Sequence, residues 1–154
     1  VVYSVLLRPL PVPESGRLVL IANQYPKAGV GDSTNSAVGD YYDRRESVRS
    51  LSDHALYQRQ GMTLDVNGQP RRMEAMGVTP SIFPLLRITP ALGRAFNAEE
   101  GEIGGEQKVI LSDGLWRQLL GGDPAVVGRT IRLNGRPYTV VGVMPRGFQF
   151  MDPE

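Results

Sequence analysis

Residues 130–144 read TIRLNGRPYTVVGVM, and this stretch decides the fold. Asn134-Gly135 separates two segments rich in strand-forming residues, at 130–133 and 136–144. Both central residues of a type I′ turn need a positive φ, which Asn-Gly tolerates. The pattern therefore predicts an antiparallel β-hairpin.

A second hairpin is predicted by the stretch LDVNGQP at residues 64–70. Its strands at 55–66 and 69–78 would meet at Asn67-Gly68, which is again an Asn-Gly pair. The likeness of the two stretches indicates either an internal duplication or the narrow choice of residues for tight turns. The second explanation is favoured.

A strand and a helix are predicted after residue 108. Residues 109–111 are the strand, Ser112 or Asp113 is the helix cap, and Gly121-Gly122 ends the helix. In each of two apolar pairs the residues are four positions apart and therefore share one face of the helix. These pairs are Leu115 with Leu119 and Trp116 with Leu120. Asp123-Pro124 then opens a single helical turn.

The other segments predict a mixture of short elements. Residues 17–22 are an apolar run typical of a strand buried on both faces, and residues 25–35 are a polar loop. A helix is expected at 36–50, capped by Asn35 or Ser36, and its apolar face carries Val38, Tyr41, Tyr42 and Val48.

A short helix at 80–86, capped by Thr79, and a polar, acidic loop at 93–106 complete this part of the prediction. Strands mixed with helices in this order indicate the α+β fold class with a small mixed sheet.

Composition and charge exclude several classes of function. With 154 residues, 41% apolar and 21% charged, the chain suits one globular domain. A net charge of +1 gives no electrostatic surface for nucleic acid, and no stretch approaches the roughly 18 apolar residues of a membrane span. Because cysteine is absent and His54 is the single histidine, disulfides, thiolate metal sites and multi-histidine metal sites are excluded.

The strongest catalytic candidate is a Ser-His pair. Gly31-Asp32-Ser33 resembles the nucleophile block of one esterase family, and His54 is the only available base. The late Asp-x-x-His block of that family and a Gly-x-Ser-x-Gly elbow are both missing. We therefore predict no catalytic residue and a structural role for His54. A hydrolase would need the Ser33 and His54 side chains within hydrogen-bond reach of each other.

Clusters of charge are interpreted as solvated surface. Asp40 and Asp43 stand beside Arg44 on the polar face of the helix, which disfavours a glycosidase pair. The tyrosines and arginines of this helix resemble a nucleic-acid surface, but neighbouring acids neutralise the positive charge, which belongs to Arg44, Arg45 and Arg49.

The acidic loop lacks the ligand spacing of an EF-hand, so we predict no metal site there, although cation binding by the loop at 99–106 stays open. Its carboxylates are Glu99, Glu100, Glu102 and Glu106. A P-loop is also absent, and we predict no cofactor.

Several blocks, taken in their order and spacing, resemble one known family. They are LLRPLP at 6–11, RLV at 17–19, DYYD at 40–43, GVTPSIFPLL at 77–86, PALGRAF at 90–96, VILSDGLW at 109–116, GGDP at 121–124 and LNGRPYTVVGVMP at 133–145. Together they are similar to the periplasmic core domain of MacB-type ABC transporter permeases, the insert between the first and second transmembrane helices of that family.

The resemblance implies three parts and an incomplete fragment of the domain. Residues 1–17 would be the stalk end of a transmembrane helix plus a Pro-rich linker, because residues 1–7 are apolar and lack the pattern of a signal peptide. Residues 18–88 would form part of a βαβ subdomain like the porter subdomains of multidrug efflux pumps. Residues 89–154 would form a second, mixed α/β subdomain.

The resemblance also implies a function without catalysis. The domain would lie on the periplasmic face of the bacterial inner membrane as a soluble fragment and couple ATP-driven motion to substrate export or handling. Its partners would be its own transmembrane helices, a cytoplasmic ATP-binding domain, a dimer mate and a periplasmic protein, but no nucleic acid. One alternative is a ligand-binding module for a lipid, peptide or small molecule, which predicts an apolar pocket of several hundred cubic ångströms. The other is the Ser33/His54 hydrolase.

Overall fold

A computed structural model describes residues 12–21, 23–25, 30–33, 37–102, 104–105 and 107–149, with the backbone alone for 23–25 and 30–33. The chain divides into two units, Val1–His54 and Ala55–Glu154. The predicted division at 17/18 and 88/89 stays a prediction. Residues 1–11, which include the predicted stalk end, lie outside the described residues.

Among the residues that the structure describes, the first unit contains a strand pair, one 3-10 helix and one α-helix. A 3-10 helix at Ser15–Arg17 precedes β1 (Asn23–Tyr25) and β2 (Val30–Ser33), which pair antiparallel. Helix α1 spans Val38–Ser47.

Two predictions for this unit are wrong. Residues 18–21 form no strand, and Val19 is 52% exposed rather than buried on both faces. A short apolar run does not by itself specify a strand, because a strand also needs a pairing partner. The second wrong prediction is the loop at 25–35, because strands β1 and β2 pair with each other and occupy part of this range.

Helix α1 is shorter than predicted and buries a narrower face. Its N-cap is Ala37, which makes no side-chain cap hydrogen bond, while the predicted caps Asn35 and Ser36 lie outside the described residues. Tyr41 is buried, but Val38 and Tyr42 are exposed, so the predicted apolar face is wrong for these two residues. Successive helical residues are about 100° apart, so neighbouring tyrosines cannot share one buried line.

As far as its residues are described, the second unit is built on a six-stranded sheet with two α-helices and two 3-10 helices. Its strands are β3 (Tyr57–Val66), β4 (Gln69–Val78), β5 (Leu92–Gly93), β6 (Lys108–Leu111), β7 (Thr130–Leu133) and β8 (Arg136–Val143). Its α-helices are α2 (Ile82–Leu86) and α3 (Asp113–Leu120), and its 3-10 helices span Ala98–Gly101 and Pro124–Val126. This architecture confirms the predicted α+β class and both hairpins.

The strand order is β4-β3-β7-β8-β5, and β6 pairs with β8 in parallel, whereas the other pairs are antiparallel. Strands β5 and β6 both pair with residues 142–143 of β8. They must therefore lie on opposite edges of β8. The register of β6 skips Val141, which marks a β-bulge in β8.

The two hairpins join side by side through strands β3 and β7 and through the second turn. Asn67 and Asn134 have φ values of 53° and 49°, as type I′ turns require. Leu64 of β3 pairs with Leu133 of β7. The amide Oδ1 of Asn134 also accepts a hydrogen bond from the Thr63 N–H at 2.8 Å, and the Asn134 N–H donates to the Thr63 carbonyl at 2.8 Å. The hydrogen bonds of the second turn thus help to fix the register of β7 against β3.

Two apolar clusters are part of the core of the second unit. One contains Leu111, Val126, Val140 and Val143, with Trp116 packed against them, and the other contains Met62, Leu64 and Leu133. The first cluster is held by helix α3, which begins as predicted. The Ser112 hydroxyl accepts from the Leu115 N–H, and the Trp116 indole donates to the Asp123 carbonyl at 3.0 Å.

Two local predictions in the second unit are wrong. Thr79 does not cap α2, because its hydroxyl accepts a hydrogen bond from the Leu56 N–H at 2.9 Å and the helix begins at Ile82. The loop predicted at 93–106 contains Gly93 of β5 and the 3-10 helix Ala98–Gly101. Asn97 and Glu100 form a capping box at the start of that helix, which organises this polar segment locally.

Candidate functional site

The second unit contains an apolar cleft of about 550 Å³. Strands β3, β4 and β6 supply part of its lining, and α2 adds Ile82, Phe83 and Leu86. Phe83 and Phe96 stack edge to face in its wall, with ring centroids 5.5 Å apart.

The side chains of the cleft are unusually adaptable. Four of the five methionines of the chain line it, together with three of its four phenylalanines. These residues are Met62, Met73, Met76, Met144, Phe83, Phe96 and Phe148. Methionine is unbranched and polarisable, so a surface rich in it can repack around ligands of different shape.

A second, polar pocket of about 460 Å³ adjoins the cleft, and Glu100 and Lys108 line both. The Glu100 side chain is only 7% exposed. Both of its oxygens accept hydrogen bonds from the Arg94 guanidinium, at 2.7 and 2.8 Å, and the Asn97 N–H donates to it at 3.0 Å.

This pairing determines the charge of Glu100. The hydrogen bonds from Arg94 lower the pKa of Glu100 to about 2, against the opposing effect of burial. The Asn97 N–H and the charges of Arg94 and Lys108 act in the same direction as the Arg94 hydrogen bonds. The carboxylate is therefore ionised at neutral pH, and its partner is Arg94.

A family model for the MacB-like periplasmic core domain matches residues 6–154. The chain belongs to this family. Its membership confirms the resemblance read from the sequence blocks and the predicted location on the periplasmic side of the membrane. None of the helices in the described part of the chain has the length and apolar character needed to cross a bilayer.

Two solved structures share the fold of this MacB-like domain. The extracellular domain of the noncanonic ABC-type transporter YknZ from Gram-positive bacteria has a TM-score of 0.61 and 17% identity, over 71% of this chain and 57% of that chain. The periplasmic region of MacB from Actinobacillus actinomycetemcomitans has a TM-score of 0.60 and 18% identity, over 74% and 53%. The chain thus spans little more than half the length of either. No curated protein matches it.

The structure does not bring the candidate hydrolase residues into a described site. Ser33 belongs to β2, but its side chain lies outside the described residues, so its distance from His54 stays untested. The Asp53 Oδ1 accepts a hydrogen bond from the His54 backbone N–H at 2.9 Å. The Tyr41 hydroxyl donates to the His54 carbonyl at 3.5 Å, which is a second hydrogen bond to the backbone of this residue in the MacB-like domain.

The charged residues of α1 lie on its surface. Asp40 forms an ion pair with Arg44 at 3.6 Å, and the Asp43 carbonyl accepts from the Ser47 hydroxyl at 2.6 Å. These contacts agree with the interpretation of Asp40 and Asp43 as a solvated face. The exposed Tyr42 packs edge to face on Tyr41, with ring centroids 5.2 Å apart.

The acidic loop is organised around Arg94. Glu100 turns inward, Glu99 and Glu102 are exposed, and Glu106 lies outside the described residues. Among the residues that the structure describes, no group of three or more His, Cys, Asp or Glu side chains is arranged to hold a metal ion. Cation binding by this loop therefore receives no support from the geometry.

The residues that line the cleft were not predicted from the sequence, although the ligand-binding alternative required an apolar pocket of this size. Its residues come from separate stretches of the second unit, and each stretch looks like ordinary core when read by itself. The one local signal is the placement of Met62 and Met73, which stand opposite each other on the first hairpin. Such pairs are also common in sheets that are fully covered, so the signal alone does not predict a cleft.

Proposed function

We propose that this domain is the extracytoplasmic part of an ABC transporter permease and that it couples ATP-driven motion of the membrane helices to export or handling of a substrate in the envelope. The family match over residues 6–154 carries the proposal. The moving partners would be its own transmembrane helices and a separate cytoplasmic ATP-binding domain. A dimer mate and a periplasmic protein would receive the motion.

The packing of the second unit supports a mechanical role. A lever must transmit displacement without deforming, so its parts must be held by many coupled contacts. Strand β8 pairs with β5, β6 and β7, and the Asn134 turn ties the second hairpin to the first. The side chains of Leu64 and Val140 at the centre of this arrangement are fully buried.

The movement can be measured on the intact transporter. The chain has no cysteine, so Arg71→Cys on exposed β4 gives this domain one labelling site. In the full-length permease assembled with its ATP-binding domain, the distance between spin labels on two copies should change between the ADP and ATP-bound states. A hydrolysis-deficient ATP-binding domain is the matched control and should hold the ATP distance. An identical distance distribution in all states would overturn the proposal.

The absence of catalysis needs its own test. The purified domain should show no turnover of ATP or of activated esters above the buffer rate. Reproducible ester hydrolysis that is lost in His54→Ala and retained in Asp43→Ala, an exposed residue of α1, would establish a hydrolase instead.

A second candidate function is ligand binding by the domain itself, and the apolar cleft of about 550 Å³ is the observation that favours it. The volume lies within the usual range of small-ligand pockets. A ligand that binds only the folded state raises its melting temperature. A screen of detergents, fatty acids and apolar peptides should therefore contain at least one compound that raises it in proportion to concentration.

A further inference from the structure

The cleft is bordered by the outer edge of β4. All six residues from 73 to 78 line it. Side chains alternate between the two faces of a strand, so one face supplies only every second residue to a cavity. Six consecutive lining residues therefore mean that the cleft is not confined to the side chains of one face and that it also borders Glu74, Met76 and Val78. Within the described residues β4 pairs only with β3, on its other edge.

The hairpin register shows which backbone groups point outward. In a hairpin with a two-residue turn, the flanking pair Val66 and Gln69 exchanges backbone hydrogen bonds, and every second pair does the same. Met73, Ala75 and Gly77 therefore bond to β3, and the alternate residues direct their N–H and C=O groups away from it. Thr63 of β3 follows this parity, since its backbone groups bond outward to Asn134.

Only half of this edge carries the residues that usually protect an open strand. Pro70 lacks an N–H, and Arg71 and Arg72 place charge beside the turn. The half that faces the cleft carries one charged residue, Glu74, whose side chain is exposed. Among the described residues, the outward backbone groups of Glu74, Met76 and Val78 thus have no strand partner and can pair with another strand.

A second strand edge borders the same cleft. Residues 108–112 also line it consecutively, and they include the whole of β6. Within the part of the chain that the structure describes, β6 pairs only with β8. The cleft therefore combines apolar side chains with strand backbone that is open to pairing.

This combination selects one class of ligand. An acyl chain or an apolar drug would cover the methionines but leave the strand edge without hydrogen bonds, which is costly once water is excluded. A polypeptide supplies both apolar side chains and backbone partners. We propose that the β4 edge at Glu74–Val78 accepts an extended peptide segment of another protein, with apolar residues toward the cleft and a basic residue beside Glu74. This inference rests on the ligand-binding candidate and names its ligand.

The probe for the experiment is the peptide acetyl-Val-Lys-Val-Thr-Val-Thr-amide, labelled for fluorescence anisotropy and titrated with the 154-residue chain. Two control peptides carry N-methyl groups on the odd or on the even residues, because N-methylation removes the donors that a strand edge needs. Binding should be lost for at least one control. Equal binding of all three peptides would overturn edge pairing, while leaving ligand binding by apolar contact intact.

Protein variants locate the site. Met76→Pro removes an outward N–H in the cleft and should weaken binding about tenfold. Arg72→Pro removes an equivalent outward N–H outside the cleft and should leave the affinity unchanged. Equal effects of the two variants would overturn the proposal.

A charge exchange keeps the test decisive if Met76→Pro fails to fold. Glu74→Lys should weaken binding of the lysine peptide, and a peptide with glutamate in place of lysine should restore it. Loss without restoration would contradict a basic residue beside Glu74.

The remaining outcomes separate this inference from the function on which it rests. Binding of dodecyl maltoside or palmitate without any peptide binding would refute the peptide and keep the ligand-binding candidate. Failure of every probe would refute both. Concentration-dependent dimers in light scattering that Met76→Pro abolishes would assign the edge to a second copy of this chain and overturn a separate protein partner.

Discussion

Asn134 connects the two hairpins through its side chain, and its replacement by alanine should weaken the second unit more than the same change at Asn67. Both residues take positive φ, at 49° and 53°, so alanine costs about 1 kcal/mol of strain at either position. Only Asn134 also accepts a hydrogen bond from the Thr63 N–H, at 2.8 Å. Losing that bond at an exposed site costs about 1 kcal/mol more. We therefore expect losses of about 2 and about 1 kcal/mol.

The measurement is urea unfolding followed by tryptophan fluorescence. Trp116 is the only tryptophan, and it packs against the core of the second unit. Its signal therefore reports on the same unit for both variants. Asn134→Gly is a further control, because glycine adopts positive φ without strain but cannot make the Oδ1 bond. It should fall between wild type and Asn134→Ala. Equal losses for Asn134→Ala and Asn67→Ala would refute the idea that the turn side chain couples the hairpins.

Three other perturbations test separate parts of the second unit. Arg94 lowers the folded-state pKa of Glu100 to about 2 from an ordinary 4.5. The ionised Glu100 should therefore stabilise the folded state fully above pH 4.5, and this stabilisation should be lost as the pH falls toward 2. Because the partner Arg94 is half-exposed, we expect this ion pair to contribute about 1 to 2 kcal/mol to the free energy of unfolding. Glu100→Gln should remove this pH dependence when the free energy of unfolding is measured as a function of acidity. Leu64→Ala, at a fully buried site, should lower the free energy of unfolding in urea by about 2 to 5 kcal/mol. A decrease of less than about 1 kcal/mol would contradict a closed core at this position. Gly142→Ala would place a Cβ 2.7 Å from the Arg94 carbonyl oxygen and should cost about 1 to 3 kcal/mol, whereas Gly114→Ala, which meets nothing within 4 Å, should be neutral or stabilising in the same assay.

Elements with a strong local signal were predictable from the sequence. The turns at Asn67-Gly68 and Asn134-Gly135 fixed both hairpins nearly to the residue, because few other residues satisfy a type I′ turn. Of the two predicted caps of helix α3, Ser112 and Asp113, it is Ser112 that caps the helix, because its hydroxyl satisfies an otherwise open N–H.

Elements defined by distant pairing were not predictable in the same way. Strand β5 consists of Leu92 and Gly93, and it exists because it pairs with Val143 and Gly142 of β8. Nothing in the neighbourhood of Leu92 carries that information. The strand expected at 17–22 failed for the converse reason, since its apolar residues have no pairing strand among the described residues.

The candidate site illustrates the same limit. Glu100 belongs to a run of acids that reads as a solvated loop, yet its side chain is buried against Arg94. The pairing spans six residues and depends on the turn of the 3-10 helix. Likewise, each residue of the cleft is typical of a covered core, and only the arrangement of β4 and β6 shows that the space beside them is open.

The position of β8 in the sheet has a consequence for biosynthesis. Strands β5, β6 and β7 all take partners on β8, and β8 follows all three along the chain. A polypeptide emerging from the amino end can form the first hairpin early, because its two strands are adjacent. Strands β5 and β6 must wait until Gly142 and Val143 have emerged before their pairing with β8 is complete. The nascent domain therefore passes through a stage with exposed, pairing-competent segments, during which chaperone protection decides between folding and aggregation.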